Sequence, residues 1–198
     1  MSLPAILSPP PDLLSSSPLR FTATTTGVSE VVTLARLTVS KPSRIAWGDG
    51  ISQILPANST AAITHTYAVS GTYNVTLENA KKVTQLRLDN AKIGKLNTAE
   101  LRYSPITYFY VILITGSMIS SADMTAWMPT YWYLYSMPAG TYSISSADMT
   151  SWRPTEWYLS SMPAGTYLIS SADMVAWRPT YWYLHSMPAG TYSISSAD

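Results

Sequence analysis

Few side chains in this sequence are equipped for covalent chemistry, and their spacing assigns them little. There are two histidines, His65 and His185, and no cysteine. A thiol nucleophile, a thiolate metal site and a disulfide staple are therefore excluded. Neither histidine can be given a third group that completes a base–nucleophile arrangement. Three carboxylates, Asp123, Asp148 and Asp173, recur in one column. A repeated carboxylate suggests calcium, but capping of a short helix explains the same column with fewer assumptions. Gly48-Asp49-Gly50 is too short and isolated for a phosphate loop and reads as a turn. The expectation is a non-enzyme with no catalytic residue, no cofactor and no metal.

What remains is the chemistry of recognition. Tyr (14) and Trp (7) are numerous and Phe (2) is scarce. Rings that carry a polar atom suit half-exposed surfaces. These rings lie in a repetitive second half, where Ala-Asp-Met recurs at Ala122, Ala147 and Ala172. The unit from Ser143 to Tyr167 reads SISSADMTSWRPTEWYLSSMPAGTY, and its neighbours are nearly the same. Period-2 alternation in Tyr131-Trp132-Tyr133-Leu134-Tyr135 puts Trp132 and Leu134 on one face and the tyrosines on the other. The Trp/Leu face is expected inside a stack of repeats, with the tyrosines in ladders on the outer face of a parallel sheet.

Differences between the units fall at Met128/Arg153/Arg178, at Tyr131/Glu156/Tyr181 and at Tyr135/Ser160/His185. Tyr133, Tyr158 and Tyr183 lie between the last two sets. The candidate binding residues are therefore Tyr131, Tyr133, Tyr135, Arg153, Glu156, Tyr158, Ser160, Arg178, Tyr181, Tyr183 and His185. Two readings stand side by side. Rigid aromatic rings among varied polar residues make a recognition surface; equally, exposed strand positions drift, and Tyr is a good strand former.

The elements that must hold these residues follow from local pattern. Met137-Pro138-Ala139-Gly140 turns the chain off the strand, and Ile144 enters the core on the return. Ser120/Ser121-Ala122-Asp123 reads as a capping box, with Asp in place of Glu, opening a helical turn that ends near Trp127. Met124 and Trp127 are expected to bury together. A single repeat cannot bury its own faces, so its neighbours stabilise it.

The first half reads differently. Residues 1–18 are rich in Pro and Ser and form either a flexible leader or an anchoring arm that orders on a partner. Residues 19–80 alternate in the β manner, with strands at Arg20–Thr25, Val31–Val39, Arg44–Trp47, Ala62–Thr66 and Gly71–Leu77. Without an intervening linker, the repeats (81–198, about five strands) begin near Val83. A net charge of +1 argues against nucleic acid as partner. No apolar run approaches the length of a membrane helix, so no membrane insertion is expected.

Trp47-Gly48-Asp49-Gly50, then His65-Thr66-Tyr67, then Gly71-Thr72-Tyr73-Asn74-Val75-Thr76-Leu77 resembles the PKD (polycystic kidney disease) repeat family. Three separated motifs occur in order, although this copy is shorter before the turn, where Trp47 directly precedes Gly48. The resemblance implies an immunoglobulin-like β-sandwich serving as a spacer or interaction module. Val83-Thr84-Gln85-Leu86-Arg87-Leu88-Asp89-Asn90-Ala91-Lys92-Ile93-Gly94 resembles a leucine-rich repeat with its asparagine one place early. Later units at Ile106–Val111, Pro129–Leu134, Pro154–Leu159 and Pro179–Leu184 fall within that class's 20–29-residue spacing.

The whole arrangement resembles structural proteins of bacteriophages that infect Bacteroidetes-type gut bacteria. That resemblance implies a virion head fibre, decoration protein or tail appendage. The alternative is a bacterial cell-surface adhesin similar to the BspA-like repeat proteins. Met1–Pro18 lacks the basic start of a secretory signal, which favours assembly inside the cell. The expected partners are other virion proteins, reached by the N-terminal arm or the C-terminal end, and a host-surface glycan or protein. The last unit carries the internal Trp182/Leu184 pattern without a polar cap. An open edge at Tyr181–His185 and a homo-oligomer are therefore expected.

Overall fold

The computed structural model describes residues 17–124 and 126–193. The Pro/Ser-rich arm, apart from Ser17 and Pro18, and residues 194–198 of the last repeat lie outside the described residues. The described chain is mainly β, antiparallel in its first part and parallel and solenoid-like in its second.

The first part holds β1 (Leu19–Thr25), β2 (Glu30–Leu34), β3 (Arg36–Val39), β4 (Ser43–Ala46), β5 (Ser52–Leu55), β6 (Ile63–Tyr67) and β7 (Gly71–Leu77). Alternation builds the long pair: Leu19, Phe21 and Ala23 of β1 and Val75 and Leu77 of β7 are buried. The two strands run antiparallel in register from Leu19↔Leu77 to Thr25↔Gly71. β4 and β5 extend this sheet beyond β7, and β2 pairs with β6. The Ser52–Leu55 strand was not anticipated, since its four residues carry no alternation.

The strand expected over Val31–Val39 is two strands. Val32 and Leu34 are buried, then Leu37 and Val39, so the inward phase slips across Ala35. A slip of one residue turns side chains to the opposite face. The chain uses that slip to change partners: β2 stays with β6, while β3 pairs antiparallel with β8 (Val83–Leu88).

A 3₁₀ turn, Ala80–Lys82, leads directly into β8, with the Asn79 side chain accepting from the Lys81 N–H. Then follow β9 (Ile93–Gly94), β10 (Tyr108–Ile112), β11 (Met118–Ser120), β12 (Tyr131–Tyr135), β13 (Thr141–Ser145), α1 (Ser146–Trp152), β14 (Glu156–Ser160), β15 (Thr166–Ser170), α2 (Ser171–Trp177), β16 (Tyr181–His185) and β17 (Thr191–Ser193). Five strands, β8, β10, β12, β14 and β16, make a parallel sheet in which β3 forms the far edge. A second parallel sheet runs β11-β13-β15-β17. β9 joins the first part by pairing with β1. One continuous apolar core therefore extends from Leu19 through the repeats. Phe109, Trp132 and Trp157 are fully buried in successive strands, whereas Trp182 of β16 is 40% exposed.

The chain turns off strands β12, β14 and β16 at left-handed serines, Ser136, Ser161 and Ser186. Beyond these, Tyr142 and Tyr167 clamp their own Pro-Ala-Gly loops by donating to the Pro138 and Pro163 carbonyls at 2.9 Å.

The capping box is corrected by the structure. Ser120, Ser145 and Ser170 occupy the N-cap positions, but none makes a side-chain cap bond. The aspartates instead reach the previous repeat. Thr98 donates to Asp123, Ser121 to Asp148 and Ser146 to Asp173. The same three hydroxyls accept the backbone N–H of Ser120, Ser145 and Ser170, each at 2.9 Å. Aspartate is one methylene shorter than glutamate, and the neighbouring repeat's hydroxyl completes the link to the N-cap amide. The relay thus fastens one repeat to the next. In the first unit the helical segment is only a 3₁₀ turn, Ser121–Asp123, and it stops short of Trp127; α1 and α2 run to Trp152 and Trp177. Met124 and Trp127 are both buried.

Candidate recognition face

Parallel register turns the alternation of each strand into rows that run across the sheet. Tyr108, Tyr131, Glu156 and Tyr181 form one row. Tyr110, Tyr133, Tyr158 and Tyr183 form the next, and Ile112, Tyr135, Ser160 and His185 the third. Neighbouring strands lie about 4.8 Å apart, close to the stacking distance of aromatic rings. Tyr133 and Tyr158 stack with centroids 5.5 Å apart and planes 17° from parallel; Tyr158 and Tyr183 do so at 4.6 Å and 14°. Tyr110 lies 5.5 Å from Tyr133 and Tyr108 lies 5.6 Å from Tyr131, both tilted. From Tyr133 to Tyr183 each ring covers part of its neighbour's face, so ring edges are left for a ligand. Tyr131, Tyr135 and Tyr181 on the flanks are exposed.

Charges sit within this carpet in compensated form. The Arg36 guanidinium lies 4.9 Å from the centre of the Tyr108 ring, and that of Arg87 4.9 Å from Tyr110. Such contacts are worth about 0.5–1 kcal/mol at exposed sites. Arg87 also pairs with Asp89 at 2.8 Å. That hydrogen bond raises the arginine's pKa further. Tyr133 donates its hydroxyl to the Glu156 carboxylate of the next strand. Burial, and then this bond, push the Tyr133 phenol well above its ordinary range, so it stays neutral.

The predicted residues are only partly brought together. Tyr131, Tyr133, Tyr135, Glu156, Tyr158, Tyr181, Tyr183 and His185 share the face. Ser160 points the same way but is 2% exposed, covered between Tyr135 and His185. It is therefore no free contact; the larger side chains of the flanking strands close over it. Arg153 and Arg178 are elsewhere, at the left-handed C-caps of α1 and α2. Four members of the face escaped the sequence reading: Tyr108, Tyr110, Arg36 and Arg87. The Tyr-x-Tyr alternation of β10 was a usable signal for the first two. Nothing local indicated Arg36, which arrives through the β3–β8 pairing.

The other candidates are structural in their geometry. The His65 Nε2 lies 2.7 Å from Asp49 Oδ2, and its ring stacks on Trp47 at 4.8 Å. Burial works against ionisation of Asp49, but the bonds from His65 and the Ile51 N–H outweigh it and hold its pKa below the ordinary value. Gly48 and Gly50 have positive φ, and a Cβ at Gly48 would lie 2.7 Å from the Asn74 carbonyl oxygen. The aspartate column serves the relay described above. Among the described residues no cluster of three or more metal-ligating side chains occurs. Among them also, no helix is long and apolar enough to cross a membrane.

Compared with known protein families, curated proteins and solved structures, the chain matches none.

Proposed function

We propose that the chain is a non-enzymatic virion accessory protein of a bacteriophage, a head fibre, decoration protein or tail appendage. In this reading its tyrosine face binds a host-surface glycan or protein, and the antiparallel part, PKD-like in its motifs, is a spacer. The observation that carries the recognition role is the aromatic carpet on β10, β12, β14 and β16, with rows of Tyr in register. The virion assignment rests on the resemblance of the Pro-rich leader, sandwich motifs and repeats to phage structural proteins.

The ring geometry refines how a ligand would be held. A sugar stacks on a free ring face, and the exposed flanking tyrosines offer those. The middle row offers positively polarised ring edges, suited to the acceptors of a glycan or of a protein loop, while its Tyr133 hydroxyl is already committed to Glu156.

Replacing Tyr133, Tyr158 and Tyr183 together with Ser is expected to abolish binding to host cells while leaving the fold intact, since aromatic hot spots commonly cost about 2 kcal/mol or more each. Normal binding by that variant would refute the recognition role. Immunogold electron microscopy of intact particles tests the location: labelled virions support the assignment, and label confined to bacterial surfaces favours the adhesin.

A further inference from the structure

The middle tyrosine row of the face does not stop at β10. Tyr110 pairs with Arg87 of β8, and Arg87 pairs with Arg36 of β3. Six strands therefore carry one line across the sheet: Arg36, Arg87, Tyr110, Tyr133, Tyr158 and Tyr183. The line is aromatic toward β16 and cationic toward β3. Residues directly opposite on antiparallel strands have Cβ atoms about 4.5–5.5 Å apart, and like charges placed so are destabilising.

The protein offsets this repulsion only in part. Asp89 accepts the Arg87 Nε–H at 2.8 Å. Among the described residues no carboxylate lies within 4 Å of Arg36, whose Nη1 donates to Gln85 at 3.4 Å. The two guanidinium groups lie over Tyr108 and Tyr110, rings 6.4 Å apart and 18° from parallel. A ring face steadies a guanidinium but accepts none of its in-plane N–H bonds. Two cations thus share one carboxylate. The Arg87 side chain is 41% exposed, and only its Nε–H has an acceptor among the described residues. Arg36, half-buried beside it, adds the second positive charge.

We propose that the Arg36–Arg87 end of the row binds the carboxylate of an acidic sugar that terminates an otherwise neutral glycan, the rest of which lies along the tyrosines. The proposal rests on the recognition reading of this face. Arginine forks match a carboxylate in geometry as well as in charge. Glu156 explains why one acidic group fits better than many. It stands three strands from β8, about 14 Å at the usual strand spacing, and a polyanion laid along the row would meet it. The backbone N–H and C=O groups of these strands are engaged in the ladder, so an extended peptide finds no main-chain partners on the face. A sugar needs none: it stacks on the exposed flanking rings and bonds through its rim.

The test titrates the ¹⁵N-labelled full chain and follows the Arg36 and Arg87 signals by nuclear magnetic resonance. The probes are two matched pairs, cellobiouronic acid with cellobiose and sialyllactose with lactose, and a glutamate-ended tetrapeptide. The acidic member of at least one pair is expected to shift both arginines saturably and to bind about tenfold more tightly than its neutral partner. Arg87→Gln should remove most of that gain, about tenfold, and Arg36→Gln about threefold, with neutral sugars unaffected. Asp89→Asn removes the carboxylate that competes for Arg87 and should tighten acidic binding about two- to fivefold, a gain that no folding defect produces. Should the arginine variants not fold, the matched pairs and Asp89→Asn decide the matter. Acidic sugars that bind no better than neutral ones, a tetrapeptide that binds as well as they do, weaker binding by Asp89→Asn, or no response to any probe at about 50 mM, far above the millimolar affinities of small fragments, would each overturn the proposal. Neutral sugars that shift the tyrosine rows without any gain from the carboxylate would leave the recognition reading standing, and the triple tyrosine variant tests that reading separately on host cells.

Discussion

The two parts of the molecule bury tryptophan by different means. Trp47, in the antiparallel part, has an individual set of partners. His65 stacks on it, Tyr67 meets it edge-on at 6.5 Å, and the Tyr67 hydroxyl donates to its carbonyl at 2.8 Å. Its own Nε1–H reaches Gln53 at 3.4 Å. Trp132 and Trp157, in the parallel part, have each other, 6.3 Å apart, and their indole N–H groups have no acceptor among the described residues. The first arrangement is a set of dissimilar contacts, each needing a different residue. The second is one contact repeated by translation. At these two strands it tolerates an unsatisfied N–H, a cost of about 1–3 kcal/mol, because truncating a buried tryptophan costs more, about 3–5 kcal/mol. In the antiparallel part the loss of one residue should therefore undo a specific bond. In the repeats the cost should depend on how many neighbours a residue has on either side.

The sharpest test compares Trp157 with Trp182. Trp157→Ala is expected to destabilise by about 3–5 kcal/mol, the range for buried aromatic truncations. Trp182→Ala, at the half-covered strand, should cost well under half as much in the same denaturant titration. Equal losses would break the comparison.

Next comes the seam. Leu86 of β8 is fully buried and pairs with Leu37 of β3 on one side and Phe109 of β10 on the other. Leu86→Ala is expected to cost about 2–5 kcal/mol and to leave one cooperative transition at a lower midpoint. Separate melting of the repeats, seen as non-coincident fluorescence and circular dichroism curves, would show two independent units.

Smaller effects separate specific bonds from repeated ones. Tyr67→Phe leaves the buried Trp47 carbonyl without its donor and should cost about 1–3 kcal/mol. Tyr158→Phe, on the outer face, should stay within about 0.5 kcal/mol. Ser146→Ala removes a relay hydroxyl that serves both Asp173 and the Ser170 N–H. It should cost about 1–3 kcal/mol and speed hydrogen exchange at Ser170.

The gentlest handle is pH. Hydrogen bonds from Lys92 and from the Gly27 and Thr26 N–H groups hold Glu30 at about 2, and Asp49 also sits below its ordinary value. Both folded pKa values lie below the unfolded ones. The stability they confer is thus complete above about pH 4.5 and is lost as pH falls through the carboxylate range. Glu30→Gln should flatten the acid limb of the stability profile.

Much of the repeat half was legible because local alternation and translation were enough to order it. Tyr131-Trp132-Tyr133-Leu134 declares its own inner and outer faces, and in-register copies align themselves. The misreadings came where a residue's role depends on something outside its own repeat. Asp148 looked like a cap for its own helix, but its partner is Ser121 of the unit before. Ser160 alternates outward, yet its neighbours cover it. Arg153 varies with the face but belongs to the end of a helix. In the antiparallel half, Gly71–Leu77 was recognisable from end to end, while the strand through Val31–Val39 concealed an exchange of partners.

The sequence by itself determined the period of the repeats, the Trp/Leu interior and the tyrosine rows, because a two-residue strand period and near-identical units leave one consistent way to bury apolar surface. Only the tertiary structure decided that β3 leaves its own neighbours to pair with β8, so that the first repeat strand has no open edge on that side and Arg36 is brought against Tyr108. The physical reason is that side-chain alternation encodes which face of a strand is buried. It carries no information about which strand supplies the backbone hydrogen bonds along its edge.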